Sequence, residues 1–296
     1  MVYAIIIHGG ASGLTEDDFK LLEPYYPGLR QKYIDSLTKY ANIGLLMLKE
    51  NKPLDDIVTK CISLLEDDEL FNSGKGSVYD INNKYYMDAS IMSGVDMSYG
   101  CVTNVSNIKN PIQLANVIRK KYKRFYCSSN SKHTNLAKEH ELEIVPNSYY
   151  QSHFRDDIIN IIKKQKYSTV GCVVYRNGNI VAGTSTGGML DKMDGRVSDS
   201  SVIGAGTFAD KFCGVSCTGI GEYFMQHVIA HDIASKIKYK NITGQEAAKE
   251  YMDNCTEQFG GFIGIDKDMN IFSVYNSTAL YHAYGSSKEE VVTRLN

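Results

Sequence analysis

The sequence has no long apolar run. No stretch of its 296 residues approaches the roughly 18 apolar residues that a membrane helix needs. The opening MVYAIIIHGG has no basic segment ahead of a short apolar run, so it fits neither a secretion signal nor an anchor. Charge of one sign is missing too: 32 Lys and Arg against 34 Asp and Glu leave a net −2, which argues against nucleic acid or an anionic membrane as a partner. The cluster Arg119, Lys120, Lys121, Lys123 and Arg124 fits the solvated C-terminal end of a helix, where cations suit the dipole.

Paired metal-ligand cysteines are absent as well. The seven cysteines are scattered, and Cys213 and Cys217 have no matching second pair, which argues against zinc. Cys172 and Cys217 lie in apolar, strand-like runs and fit reduced core residues. His227 and His231 are one helical turn apart, but Val228 stands where a zinc-protease motif needs glutamate, so a polar helix face is expected. His8, beside a glycine turn, is expected to be structural. Gly74-Lys75-Gly76 lacks the spacing of a phosphate-binding loop. These absences together point to a soluble, cytoplasmic protein.

What is present is an ordinary globular composition, 43% hydrophobic and 22% charged, in a chain long enough for one large domain. A strand over Val2 to Ile7 leads into His8-Gly9-Gly10. Helical spacing runs from about Leu29 to Glu50, again from Pro53, and from Asn110-Pro111. Strands are expected over Ser77 to Asp80, Lys84 to Ala89 and Cys101 to Val105. From Cys127 to Ser168 the periodicity weakens, with short helices near Thr134 to His140 and Asp156 to Lys164, suggesting a mobile connector. Further strands are expected over Val170 to Arg176, Asn179 to Thr184, Val202 to Gly206 and Lys211 to Cys217. Helices over Glu222 to Lys238 and Gly244 to Phe259 follow, then two antiparallel strands around Asp266 to Met269. Strands, helices and strands recur in both halves, which favours α+β layering with helices outside a sheet sandwich.

The chemistry concentrates in the second half. Asn177-Gly178 is a two-residue hairpin signal. If Arg176 faces Asn179, stepping outward places Thr169 opposite Thr186, with Cβ atoms about 4.5 to 5.5 Å apart. Cross-strand threonine pairs are common in sheets. This one is set apart by Gly187-Gly188, where a backbone can approach a ligand, and by Thr218, which ends another strand before Gly-Ile-Gly and a helix start. Between them lies GRVSDS, in which Arg196 suits a carboxylate and Asp199 an ammonium group. The two could hold the backbone end of a free amino acid, or pair with each other in a surface loop.

The ordered series HGGAS (8–12), LFNSGKGSV (70–78), MDASIMSG (87–94), NIKNPIQLA (107–115), TVGCVV (169–174), TSTGGM (184–189), GRVSDSSVIGAGTF (195–208), VSCTGIGE (215–222) and GGFIGID (260–266) resembles the plant-type asparaginases and isoaspartyl peptidases, which are N-terminal-nucleophile hydrolases. The resemblance spans His8 to about Asn276. It implies one domain over 1–296 with a four-layer αββα sandwich, self-cleaved between Ser168 and Thr169 into subunits 1–168 and 169–296.

The resemblance also assigns roles. Thr169 becomes the nucleophile, Thr186 and Thr218 support it and the oxyanion, Gly219 supplies a backbone N–H, and Asn72 is tied to cleavage. Arg196 and Asp199, with Gly219 and Gly221, grip the substrate. Carbonyls of a loop containing Leu65, Glu66, Asp68, Phe71, Ser73 and Lys75 hold a structural sodium ion, and catalysis needs no cofactor. The implied substrates are small: asparagine or an isoaspartyl dipeptide. The implied assembly is a homodimer of cleaved units. Alternatives are an uncleaved homologue acting as a binding or assembly protein, a hydrolase of glycosylated asparagine, and a threonine endopeptidase. This chain departs from the family pattern at Ser168, where Gly or Asp is usual, at Ile220, which replaces a more polar residue, and in FYCSSNSKHTN, which lacks a usual glycine-bearing motif.

Overall fold

A computed structural model describes residues 1–11, 14–162 and 168–295. The central feature is an eight-stranded sheet whose middle strands are buried on both faces. These strands are β1 (Tyr3–Ala11), β5 (Val170–Arg176), β6 (Asn179–Thr186) and β2 (Met87–Ser93). Burial on both faces is why β1 carries the run Ala4 to Ile7 with no polar alternation. Ile5 and Ile7 face one core, Ala4 and Ile6 the other, all fully buried. Each such isoleucine is stabilised by about 1.5–3 kcal/mol relative to an exposed one.

The order across the sheet is β12-β11-β1-β5-β6-β2-β3-β4, completed by β3 (Tyr99–Val105), β4 (Arg124–Cys127), β11 (Leu280–Ser286) and β12 (Glu289–Leu295). Helices α2 (Leu29–Lys49), α3 (Leu54–Glu66) and α4 (Pro111–Tyr122) cover one face through Leu37, Val58 and Ile112. The other face packs on a four-stranded sheet, β10-β9-β8-β7, made from β7 (Thr207–Ala209), β8 (Cys213–Gly219), β9 (Gly260–Asp266) and β10 (Ile271–Tyr275). Beyond that sheet lie α8 (Ile229–Lys240) and α9 (Gly244–Asp253), with Ile233, Ala247 and Phe272 in the second core. Helix, sheet, sheet and helix form the expected four layers.

Several expectations change. Val202 to Gly206 is not a strand: Gly204 takes a φ of 94° and its N–H meets the Thr207 carbonyl at 2.8 Å, so the chain turns before β7. Ser77 to Asp80 and Lys84 to Tyr86 are not paired strands either. The Asp80 carboxylate accepts the N–H groups of Asn82 and Lys84, building a turn there, and β2 begins only at Met87. The helix expected over Glu222 to Lys238 is two helices, α7 (Gly221–His227) and α8, broken at Val228, whose φ is 50°. The break lets Ala230 and His231 donate their N–H groups to the Ala205 and Gly204 carbonyls. The next helix ends at Asp253 rather than Phe259.

The stretch expected to be a mobile connector is packed as far as it is described. Between helices α5 (Asn130–Glu139) and α6 (His153–Ile162) in sequence lies the buried Tyr150, which packs on Tyr85 and Tyr149 and donates its hydroxyl to the Ile108 carbonyl at 2.7 Å. Lys163 and Lys164, placed in the second of these helices from sequence, lie outside the described residues. Arg119 is not solvated: it is buried and donates to Asp55 at 2.6 Å. Strands β11 and β12 were not expected at all. Among the described residues no helix is long and apolar enough to cross a membrane, and no group of three or more His, Cys, Asp or Glu could hold a metal ion. All seven cysteines are free, and Cys172 and Cys217 are buried.

Candidate active site

The site begins with a hairpin. Asn177 and Gly178 take φ values of 49° and 86°, the left-handed pair of a tight two-residue turn. Strands β5 and β6 pair from Arg176 and Asn179 to Val170 and Ser185 without a bulge. One step further the Thr169 hydroxyl donates to Thr186 Oγ1 at 3.2 Å. Both threonines are buried.

Thr186 is fully engaged. Its oxygen accepts from Thr169 and from the Gly188 N–H at 2.9 Å, and its proton goes to the Ser168 carbonyl at 2.8 Å. The same carbonyl accepts the Asn72 amide, also at 2.8 Å. Asn72 is fixed by a second donation to the Gly188 carbonyl and by accepting the Val78 N–H. The carbonyl preceding Thr169 thus carries two preorganised donors, the arrangement that stabilises negative charge developing on a carbonyl oxygen. Ser168 packs close to β1: its hydroxyl donates to the Gly9 carbonyl at 3.3 Å, and a Cβ on Gly10 would fall 1.7 Å from Ser168 Oγ. Gly10 has a φ of 117°, so only glycine fits there.

Thr169 and Thr186 line a narrow cleft of about 10 Å³, the scale of a single water molecule. Arg196, Asp199, Gly219 and Gly221 line it, with Met189 and Ile220 as apolar wall. Thr218 is not part of the lining; its hydroxyl oxygen accepts the Ala11 N–H at 2.9 Å and ties the end of β1 to β8. Arg196 and Asp199 do not pair with each other. Arg196 instead meets Glu222. Asp199 is buried with Oδ2 unpartnered, and burial pushes its carboxyl up to about 7 against the opposing pull of Arg196. A Cβ on Gly221 would lie 2.7 Å from Asp199 Oδ1, so a side chain there would fill the space between the two groups.

Sequence reasoning missed three contributors. Lys192 is buried, donating to the Gly187 carbonyl at 2.8 Å and to the Tyr86 carbonyl, and burial lowers it to about 8. Asp88 accepts the Ser198 and Asn104 N–H groups and so fixes the start of the Asp199 turn. Glu222 holds Arg196. Their signal was present, since Asp88 lies in MDASIMSG and Glu222 ends VSCTGIGE, but nothing in the sequence showed that they are engaged. His8 is structural, as expected. Its Nε2 meets Ser216 Oγ at 3.0 Å, and burial lowers its pKa to about 3, the Thr169 backbone pulling the other way. His227 and His231 are exposed.

A sodium ion would need oxygen ligands. In the loop from Leu65 to Lys75 several side-chain atoms are engaged: Glu66 Oε1 with Ser185 and the Ile112 N–H, Asp68 with Ser36 and Tyr40, Ser73 with Ser185, while Glu66 Oε2 is buried without a partner. The loop also offers carbonyls at the C-terminal end of α3, where a cation suits the dipole, and a Cβ on Gly74 would fall 2.2 Å from the Glu66 carbonyl oxygen. A carbonyl donor set of that kind fits a hard monovalent cation.

The family described as Asparaginase matches residues 1–164 and 153–294. The chain belongs to this family. It is 33% identical to the protein named probable isoaspartyl peptidase/L-asparaginase 2 from Arabidopsis thaliana, over 94% of this chain and 94% of the relative. It is 30% identical to the isoaspartyl peptidase of Escherichia coli K12, over 98% and 94%. It is also 30% identical to the plant-type L-asparaginase of Pyrococcus horikoshii, over 95% of each. The family match extends over both sheets and both strands of the hairpin.

Proposed function

We propose that the chain is a threonine amidohydrolase that acts on the side-chain amide of L-asparagine or the β-aspartyl bond of isoaspartyl dipeptides. The observation that carries this reading is the Thr169 hydroxyl, aimed at Thr186 in a cleft that also presents Arg196 and Asp199.

Maturation comes first. Thr169 Oγ1 adds to the carbonyl carbon of Ser168, and its proton passes to the departing amide nitrogen. Negative charge on the carbonyl oxygen is met by Asn72 Nδ2 and Thr186 Oγ1. The C–N bond breaks, which frees the Thr169 amine and leaves an ester, and water hydrolyses that ester to a Ser168 carboxylate and the Thr169 hydroxyl. The subunits are then 1–168 and 169–296. An α-amino group with an ordinary pKa near 7.7–8.0 is an effective base near neutral pH.

Turnover repeats the chemistry on a ligand. The amine takes the hydroxyl proton, and Thr169 Oγ1 attacks the side-chain carbonyl of a substrate held by its α-carboxylate at Arg196 and its α-ammonium at Asp199. The Gly219 N–H, with Thr218 behind it, supports the oxyanion. Ammonia or an amine leaves with the proton, and water releases aspartate from the acyl-enzyme. In the loop of Leu65, Glu66, Asp68, Phe71, Ser73 and Lys75, backbone carbonyls would hold a sodium ion, whose charge would steady the segment that carries Asn72.

The test is release of ammonia from L-asparagine and of free aspartate from a β-aspartyl dipeptide by purified protein. Activity on either, abolished in Thr169→Ala and with KM raised at least tenfold in Arg196→Ala, is the expected result. Equal activity in wild type and Thr169→Ala would overturn the reading.

A further inference from the structure

The two donors on the Ser168 carbonyl come from separate elements, and each has a serine beside it in sequence. Ser73 follows Asn72, and Ser185 precedes Thr186. Successive residues of a strand face opposite sides, so while Thr186 meets Thr169 at the cleft, Ser185 turns toward the helical layer behind the sheet. There Ser185 Oγ donates to Glu66 Oε1 at 2.6 Å, and Ser73 Oγ lies 2.8 Å from Ser185 Oγ. Glu66 ends α3, and its Oε1 also accepts the Ile112 N–H at 3.1 Å, in the first turn of α4. Ser73, Ser185 and Glu66 are fully buried.

The proton order of this chain is fixed. A hydroxyl has one proton, and that of Ser185 goes to Glu66, so Ser73 is the donor to Ser185. The loop that carries Asn72 is thereby tied to the end of β6 on both faces. On the cleft side the Gly187 N–H donates to the Asn72 carbonyl at 3.0 Å, and the Asn72 amide donates to the Gly188 carbonyl at 2.8 Å. On the far side stands the Ser73–Ser185 pair. Contacts on one face alone leave the loop free to rock about them, and a contact on the opposite face removes that freedom. A hydrogen bond to a developing charge depends steeply on such placement.

We propose that the buried chain Ser73–Ser185–Glu66 fixes the spacing of Asn72 and Thr186, and so sets the rate at which the protein cuts itself before Thr169. This rests on the self-cleavage read above. All three are positioning residues, acting through Asn72 and Thr186 from the side of the sheet away from the cleft.

The test follows cleavage of full-length chain made by cell-free synthesis, on gels at 25 °C, in wild type, Ser73→Ala, Ser185→Ala and the double variant. Rates are taken on the folded fraction, identified by its resistance to protease. Each single serine variant is expected to cut about threefold to tenfold more slowly, the loss of one net hydrogen bond carried into the barrier. Because the two hydroxyls form one link, the double variant is expected to be no slower than the slower single variant. A role confined to overall stability would instead shrink the resistant fraction and leave its cleavage rate unchanged. Glu66→Gln keeps a carbonyl acceptor for Ser185 and is expected to lose less than Glu66→Met, which keeps only the bulk. A wild-type rate in either serine variant, slowing that multiplies in the double variant, or equal loss in Glu66→Gln and Glu66→Met overturns the inference. A wild-type chain that stays whole overturns self-cleavage itself, and the inference with it.

Discussion

Asn72 and Thr186 donate to one oxygen, the carbonyl of Ser168, each at 2.8 Å. Asn72 lies in the loop after α3 and Thr186 at the end of β6, so two distant parts of the chain converge on the peptide bond ahead of the proposed nucleophile. Thr186→Val removes one donor and leaves the shape. Its maturation rate should fall about 10²–10³-fold, the cost of one oxyanion donor. Gel densitometry over time would measure it, and a wild-type rate would show that the contact is idle.

Asp199 couples binding to pH. Its carboxyl is raised to about 7 by burial, while an ammonium ligand needs it ionised. Affinity for L-aspartate should therefore rise as pH increases from 6 to 8. Asp199→Asn should lose that binding and gain stability at pH 8, because it no longer buries an unpaired charge. Calorimetry and thermal unfolding together would show the exchange; a variant less stable at pH 8 would contradict it.

Glu66 governs stability in a different place. Burial raises its carboxyl to about 8, and its Oε2 has no partner. The folded pKa lies above the unfolded value of about 4.3. The stability Glu66 contributes is thus fully present below about pH 4 and is lost as pH rises through about 8. Glu66→Gln should flatten the fall in melting temperature across that window. An unchanged slope would show that Glu66 ionises in the fold at its ordinary pKa.

Lys192 is a structural prediction. Lys192→Met keeps the stem but leaves the Gly187 and Tyr86 carbonyls without its ammonium. A loss of about 1–3 kcal/mol is expected in denaturant unfolding. Because Gly187 adjoins the Gly188 carbonyl that fixes Asn72, maturation should slow as well. Normal stability would place Lys192 outside the supporting framework.

The hairpin was legible because Asn177-Gly178 sets the register and no bulge intervenes, so residue spacing alone brought Thr169 to Thr186. The burial of β1 on both faces was legible for a similar reason, since an unbroken apolar run needs cover on both faces. Arg119 and Lys192 were not, because a charged residue in a loop or helix end looks solvated until tertiary packing encloses it, and Glu222, which stays exposed, meets Arg196 only across the fold. Val228 was hidden by helical spacing that continues through it, and the break is imposed by the Gly204 and Ala205 carbonyls. The roles of Asn72 and Thr218 came only through the family resemblance. Their contacts, to Ser168 and Ala11, cross the chain over distances that no local pattern encodes.

The central claim is that the chain cuts itself before Thr169. Intact mass spectrometry of the purified protein after prolonged incubation tests it most directly. The account predicts two species, residues 1–168 and a second fragment beginning at Thr169, and a single uncut species for Thr169→Ala. A wild-type chain that remains whole would contradict it.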